Sequence, residues 1–301
     1  MTPCGGTQKQ AHVYCVPAHS LCKSARCGHH TKALRGLCRT YAATVVSEID
    51  RRSSANGAVP PLDILNASVA SRRSLPTTPE SLDLPPHGFD SIESALEALR
   101  RGGMVVVLDD EDRENEGDLI MAADKVMPAD VEFIRKHSSG YICVGMQGST
   151  LDRLHLPLMV SSAENEEVMY TAFTVTVDAR EGISTGISAA DRARTLRMLA
   201  DPATQPADLR KPGHICPLRS REGGVLTRPG HTEAAVDLAR LAGCQPAGVL
   251  CEVVNPEDGS MSRTPQLLEF AKQHRLRCIT IADLVRYRLQ HDVYASAPDC
   301  S

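Results

Sequence analysis

Residues 225–254, VLTRPGHTEAAVDLARLAGCQPAGVLCEVV, decide the fold class. The start at 225–227 reads as a short strand. After Arg228-Pro229-Gly230, apolar residues recur at helical spacing over 231–241. Residues 249–254 then form an almost unbroken apolar run, the signature of a covered strand. A helix set between strands in this way belongs to a sheet that carries helices.

Working outward, both periods recur without a regular alternation. Helices are expected at 91–101, 128–137, 188–199, 265–274 and 281–289, and strands at 104–108, 119–122, 141–146, 171–177 and 278–281. Ile92, Ala95, Leu96 and Leu99 share one helical face, and Gly102-Gly103 stop that helix. Pro128 suits a first turn. Ser188, with Asp191 three residues on, suits a cap. The expected fold class is therefore α+β: a three-layer α/β sandwich on a mixed β-sheet. It is assigned to one domain over 88–292, with an extension over 1–87 and a tail over 293–301.

Composition narrows the function. The 301 residues are 42% hydrophobic and 23% charged, enough for a sizeable core. A net charge of −4, no Trp and 3% aromatics argue against nucleic-acid binding and a base-stacking platform. No apolar run reaches the roughly 18 residues of a membrane span.

The charge is uneven. Residues 1–85 hold 10 basic and 5 acidic residues, and the rest of the chain is net −9. No acidic residue precedes Glu48, whereas Lys9, Lys23, Arg26, Lys32, Arg35 and Arg39 do. That is the composition of an organelle transit sequence, with a tail that carries no address as the rival. Residues 51–87 read as a linker. Cys4, Cys15, Cys22, Cys27 and Cys38 lie in this region without a C-x-x-C pair, so a zinc module has little support. The other six cysteines sit mostly in apolar runs and read as buried thiols.

Four constellations can carry chemistry. The first is DDEDRENEGD, residues 109–118, with seven carboxylates and Arg113. Such crowding is relieved by a hard divalent ion or by solvent, and both readings stand. An EF-hand fails, because Ala123 occupies the position of the bidentate glutamate. The second is Arg228-Pro229-Gly230-His231-Thr232 at a helix start. It offers free N–H groups, a guanidinium and a hydroxyl to a phosphate, or is simply a helix cap. The third is Lys211-Pro212-Gly213-His214, an echo of the second. It could bring a second imidazole into one cleft, or hold a structural histidine. The fourth is Glu252, a carboxylate among apolar neighbours, which suits a base unless it faces outward.

Three stretches together carry a resemblance: DDEDRENEGDLI (109–120), TAFTVTVDAREGISTGISAADRARTLRMLA (171–200) and the run KPGHICPLRSREGGVLTRPGHTEAAVDLARLAGCQPAGVLCEVVN (211–255). They resemble the 3,4-dihydroxy-2-butanone 4-phosphate synthase family over about residues 88–290. The resemblance implies conversion of D-ribulose 5-phosphate into L-3,4-dihydroxy-2-butanone 4-phosphate and formate, for riboflavin biosynthesis. It implies Mg²⁺ or Mn²⁺, no organic cofactor, a three-layer fold and a homodimer with active sites near the interface.

By motif it makes Arg113, Glu114 and Asp118 substrate contacts, together with Arg228, Pro229, Gly230, His231, Thr232 and Glu252. Glu114 and His231 would hold the metal, and His214, Glu252 and Asp118 would be catalytic. Cys143 resembles a cysteine lining the pocket, with core packing equally open. The resemblance carries no roles over 161–170 (SSAENEEVMY), a variable loop. Some members continue into a GTP cyclohydrolase II domain; a single-function synthase is expected here, directed to a plastid, with mitochondrion or cytosol as fallback. A catalytically silent phosphosugar-binding protein on the same fold is the alternative.

Overall fold

The computed structural model describes residues 86 and 88–295. The expected transit sequence and linker, and the last residues of the expected tail, lie outside them. The described chain begins with helix α1 (Ile92–Arg100), followed by strands β1 (Val105–Leu108) and β2 (Gly117–Ala122). Next come α2 (Pro128–His137), β3 (Cys143–Met146), α3 (Gly148–Arg153), β4 (Val177–Ala179) and α4 (Ala189–Ala200). Strand β5 (Leu209–Arg219), α5 (His231–Leu241), β6 (Ala247–Glu252), α6 (Thr264–His274), β7 (Arg277–Thr280) and α7 (Ile281–Ala295) complete it. Among these residues no helix is long and apolar enough to cross a membrane.

The seven strands form one sheet in the order β4-β5-β3-β6-β2-β1-β7. The pairs β1–β7 and β3–β5 are parallel, and the others are antiparallel. The sheet is therefore mixed, as expected. Every residue of β1 and β2 is buried.

Register assigns side chains to layers. Asp118 pairs with Glu252, Cys143 with Leu250, and Gly145 with Gly248. Paired residues share a face and alternate residues return to it, so all six side-chain positions lie on one side of the sheet. Helix α5 covers that side. On the other side, Ser138 Oγ lies 3.1 Å from the thiol of Cys251, at the end of α2, and α2 packs on α4.

The paired glycines set how closely α5 approaches. A Cβ on Gly145 would lie 2.7 Å from Thr232 O, and one on Gly248 would lie 2.3 Å from Ala235 O. Both contacts are with helix backbone, which cannot swing away. The first turn of α5 rests on bare sheet backbone.

Most elements follow the sequence patterns. Ser91 and Ser188 cap α1 and α4 by accepting the N–H groups of Ser94 and Asp191. Three expectations change. Residues 225–227 are not a strand, because the chain makes a 3-10 turn over Gly224–Leu226. Gly223 and Gly224 take left-handed φ of +88° and +63°, and the Val225 N–H is drawn to Asp237 at 2.9 Å. Of 171–177, only Val177 lies in a strand. Phe173 and Thr174 make single bridges, and a register break separates Val177 from Asp178. Strand β5 and the short α3 were not among the expected elements: 211–214, expected as a turn, is part of β5, and Pro217 stands within the ladder to β3.

Gly248→Ala should lower unfolding free energy by about 1–3 kcal/mol, the usual cost of forcing a methyl into a closed contact. Denaturant titration reads this directly. An unchanged midpoint would show that α5 does not rest on the sheet there.

Candidate active site

Between β1 and β2 the acidic loop is organised from within. The Asp109 carboxylate is fully buried. It accepts the N–H groups of Glu114 (3.1 Å) and Glu116 (2.9 Å) and a hydrogen bond from Arg113 Nη1 (2.8 Å). Arg263, just before α6, donates to the carbonyls of Glu114 (2.9 Å) and Asn115. Asn115 takes the left-handed φ of +54° that the turn requires. The loop thus presents Glu114 toward α5, where its carboxylate also meets Arg113.

His231 is the first residue of α5. Its Nε2 lies 3.0 Å from Val107 O, so that nitrogen donates its hydrogen to the carbonyl. Nδ1 then faces Glu114 at 3.6 Å. Asp109, Glu114 and His231 offer one ligand atom each, all within 4.8 Å of one another. Two hard oxygens and an imidazole suit a divalent ion such as Mg²⁺ or Mn²⁺. Beside them Asp118 is buried, with Oδ1 3.9 Å from His231 Nε2 and no hydrogen-bond partner among the described residues. A buried, unpartnered carboxylate oxygen fits a site that takes a cation.

The electrostatics follow from crowding. His231 holds Glu114 down at about 2, against the effect of burial and with help from Arg113. Burial pushes Asp118 up to about 8, and Glu252, Glu114 and Glu116 add to this against His231. Burial disfavours a charged His231, but Asp118, Glu114 and Asp109 outweigh it and raise the imidazole to about 9.

These groups line a cavity of about 160 Å³ with Glu116, Thr232, Arg228 and Glu252. Arg113 and Arg228 converge over Gly230: a Cβ there would lie 3.0 Å from Arg113 Nη2 and 2.5 Å from Arg228 Nη1. Two guanidiniums beside a helix N-terminus make an anion cradle. Glu252, at the end of β6, is half-exposed to the cavity instead of sealed in the sheet, and accepts Ser139 Oγ at 2.6 Å. On that wall the sealed carboxyl group is Asp118.

His214 is placed elsewhere. The segment 211–214 is part of β5 and not a free turn, so the two imidazoles do not share the cavity of one chain. Asp178 holds His214 by its backbone N–H (2.8 Å) and by Nδ1 (2.7 Å). Pro229 is exposed and does not line the cavity. Cys143 does, and Cys216 beside it and burial raise its thiol above the ordinary value. Glu167 and Thr171, in and beside the loop given little weight above, line it too. No local signal marked them, because they reach the site through a long loop.

The model of one protein family, 3,4-dihydroxy-2-butanone 4-phosphate synthase, matches residues 93–287. The chain belongs to the 3,4-dihydroxy-2-butanone 4-phosphate synthase family. A probable bifunctional riboflavin biosynthesis protein, RIBA 1, chloroplastic, of Oryza sativa subsp. japonica is 58% identical over 211 residues, covering 70% of this chain and 39% of that protein. A monofunctional relative, RIBA 2, chloroplastic, of Arabidopsis thaliana is 53% identical over 239 residues, covering 76% and 50%. The chain thus spans about two fifths to one half of these relatives' length. A solved family member, a 3,4-dihydroxy-2-butanone 4-phosphate synthase in complex with two magnesium ions, is 42% identical with a TM-score of 0.66, covering 68% of this chain and 99% of that one.

Asp118 and His231 carry raised values relative to 3.8 and 6.5, so the folded protein binds their protons more tightly than the unfolded chain. Each such contribution to stability is lost as pH rises through the folded value. In EDTA, the melting temperature should therefore fall from about pH 6.5 to pH 9, and Asp118→Asn should flatten that fall. A wild-type melt that stays level across this range would contradict the assignment.

Proposed function

We propose that this family member converts D-ribulose 5-phosphate into L-3,4-dihydroxy-2-butanone 4-phosphate and formate, as a lyase of riboflavin biosynthesis without an organic cofactor. The supporting observation is the meeting of Glu114 and His231 at 3.6 Å, with Asp118 behind them and two arginines over Gly230. Glu114 and His231, the latter through Nδ1, would hold Mg²⁺ or Mn²⁺, with Asp109 bracing the loop behind Glu114. Such an ion supplies fixed positive charge against which a developing enediolate is stabilised.

The chain's own groups bind and move protons. Arg228, Arg113, Gly230 and Thr232 receive the phosphate end at the start of α5. Asp118 and Glu252 face each other across β2 and β6, giving two carboxyl groups on one wall. Proton removal beside the ketone, loss of a hydroxyl and release of formate each need such a group. Ser139 orients Glu252.

His214, oriented by Asp178, belongs to the same reading only if a second copy brings it to a cavity. We therefore read the protein as a homodimer, consistent with half-exposed Tyr141 at the cavity and exposed Val168 and Tyr170 on the nearby loop. The chloroplastic relatives and the acid-free start support a plastid address.

Incubation with ribulose 5-phosphate and Mg²⁺ should release formate. Folded, metal-loaded protein that releases none would favour the silent phosphosugar-binding reading. Glu252→Gln should lower turnover by about a hundredfold to ten-thousandfold while substrate still binds. His231→Ala should weaken Mn²⁺ binding, read by calorimetry, and substrate affinity together. Near-normal rates in Glu252→Gln would remove Glu252 from catalysis.

A further inference from the structure

Gly230 precedes helix α5 at the cap position but has no side chain to cap it, and its N–H is already bonded to Arg228 O at 2.8 Å. A glutamate three residues past a cap usually folds back to that N–H. Glu233 does not. Its side chain is 1% exposed, and both oxygens are occupied elsewhere. One accepts the Arg221 backbone N–H at 2.9 Å, and the other accepts Arg228 Nη1 at 2.6 Å. Arg228 Nη2 donates to Thr171 Oγ1 at 3.0 Å and Met169 O at 3.3 Å. The guanidinium is thus gripped on two sides where it meets the cavity.

We propose that Glu233 is a positioning residue, which through Arg228 sets the guanidinium orientation that receives the phosphate group of the substrate. This rests on the function proposed above and deepens it at the phosphate end.

Two roles of a buried carboxylate beside an arginine have opposite signs. A plain counter-ion cancels charge and so weakens anion binding. A positioning group removes the freedom of a long side chain and fixes its donor fork, and so strengthens binding. Several features favour the second: the bond is short, both carboxylate oxygens are committed, and Arg228 is held from its far side by a different segment. Glu233 also links the loop at 219–224, through Arg221, to the helix turn that carries His231. One buried group therefore ties the phosphate end to the start of α5.

Inorganic phosphate, titrated by calorimetry into the full-length protein with Mg²⁺, tests this. Glu233→Gln and Glu233→Asp should each bind it about tenfold more weakly or worse, the scale of a lost charge-assisted hydrogen bond. KM for ribulose 5-phosphate should rise more than kcat falls, and Mn²⁺ affinity should be unchanged. Glu233→Asp keeps the charge and withdraws the carboxylate by one methylene, so it decides the matter should Glu233→Gln not fold. Tighter phosphate binding in Glu233→Gln with no change in Glu233→Asp would overturn the proposal in favour of a counter-ion. Parallel loss of Mn²⁺ affinity would overturn it in favour of a collapsed helix start. Arg228→Gln sets the scale, and wild-type phosphate affinity in that variant would overturn the phosphate cradle itself. Absence of formate with the phosphate pattern intact would instead count against the lyase alone.

Discussion

The close seat of α5 on the sheet is the constraint on which the site depends. Gly145 and Gly248, side by side on β3 and β6, leave no side chain between the helix backbone and the strands. Without that contact, His231 would stand too far from Val107 O and from the loop that carries Glu114. The same seat brings Thr232 and the free N–H groups of the helix start over the face that holds Asp118 and Glu252. Packing of the most ordinary kind, a helix on two glycines, thereby fixes a metal-ligand candidate, an anion cradle and two carboxyl groups relative to one another.

That geometry is electrostatically costly. Asp118 is buried with one oxygen unpartnered among the described residues, close to Glu114, Glu116 and Glu252. The imidazole of His231 answers part of this crowding, which is why it is raised while Glu114 is lowered. One imidazole cannot balance the whole set. A bound divalent ion would replace the proton in that role, and the stability–function compromise common to active sites follows from the arrangement. The seven carboxylates of 109–118 divide accordingly. Asp110, Glu111 and Asp112 are exposed, Asp109 is buried to organise the loop, and Glu114, Glu116 and Asp118 face the cavity. The solvated-turn reading describes the first group, and the last lines the cavity where a cation is proposed.

Much of this was legible in sequence wherever a local pattern had a local cause. The helices at 128–137 and 231–241 and the Ser188 cap follow from periodicity and short-range hydrogen bonding. The meeting of Glu114 with His231 was accessible only through resemblance, since more than a hundred residues separate them. Three things escaped, each for a non-local reason. Gly145 and Gly248 look unremarkable singly and matter only once register pairs them. Strand β5 was hidden by Pro212 and Pro217, whose penalties are absorbed by tertiary pairing. The separation of His214 from the cavity depends on that same strand, because a Lys-Pro-Gly-His turn and a Lys-Pro-Gly-His strand aim the imidazole differently.

Glu233 shows how one residue type can mislead in the same way. Three residues past Gly230 it has the sequence position of a capping glutamate. Yet glycine offers no reciprocal side-chain bond, and the Gly230 N–H is already taken by Arg228 O. The carboxylate is therefore free to turn to the guanidinium and to the Arg221 N–H, both of which would otherwise lack a partner of that strength. A motif at a helix start thus specifies an active-site contact because its usual local partner is missing. In this molecule the same short segment, Arg228 to Glu233, supplies a guanidinium at the cavity, the close approach at Gly230, the imidazole and the carboxylate bonded to that guanidinium. Its compactness follows from the glycine seat beneath it, which presses the helix start onto the sheet and brings Arg228, His231 and Thr232 to one small cavity.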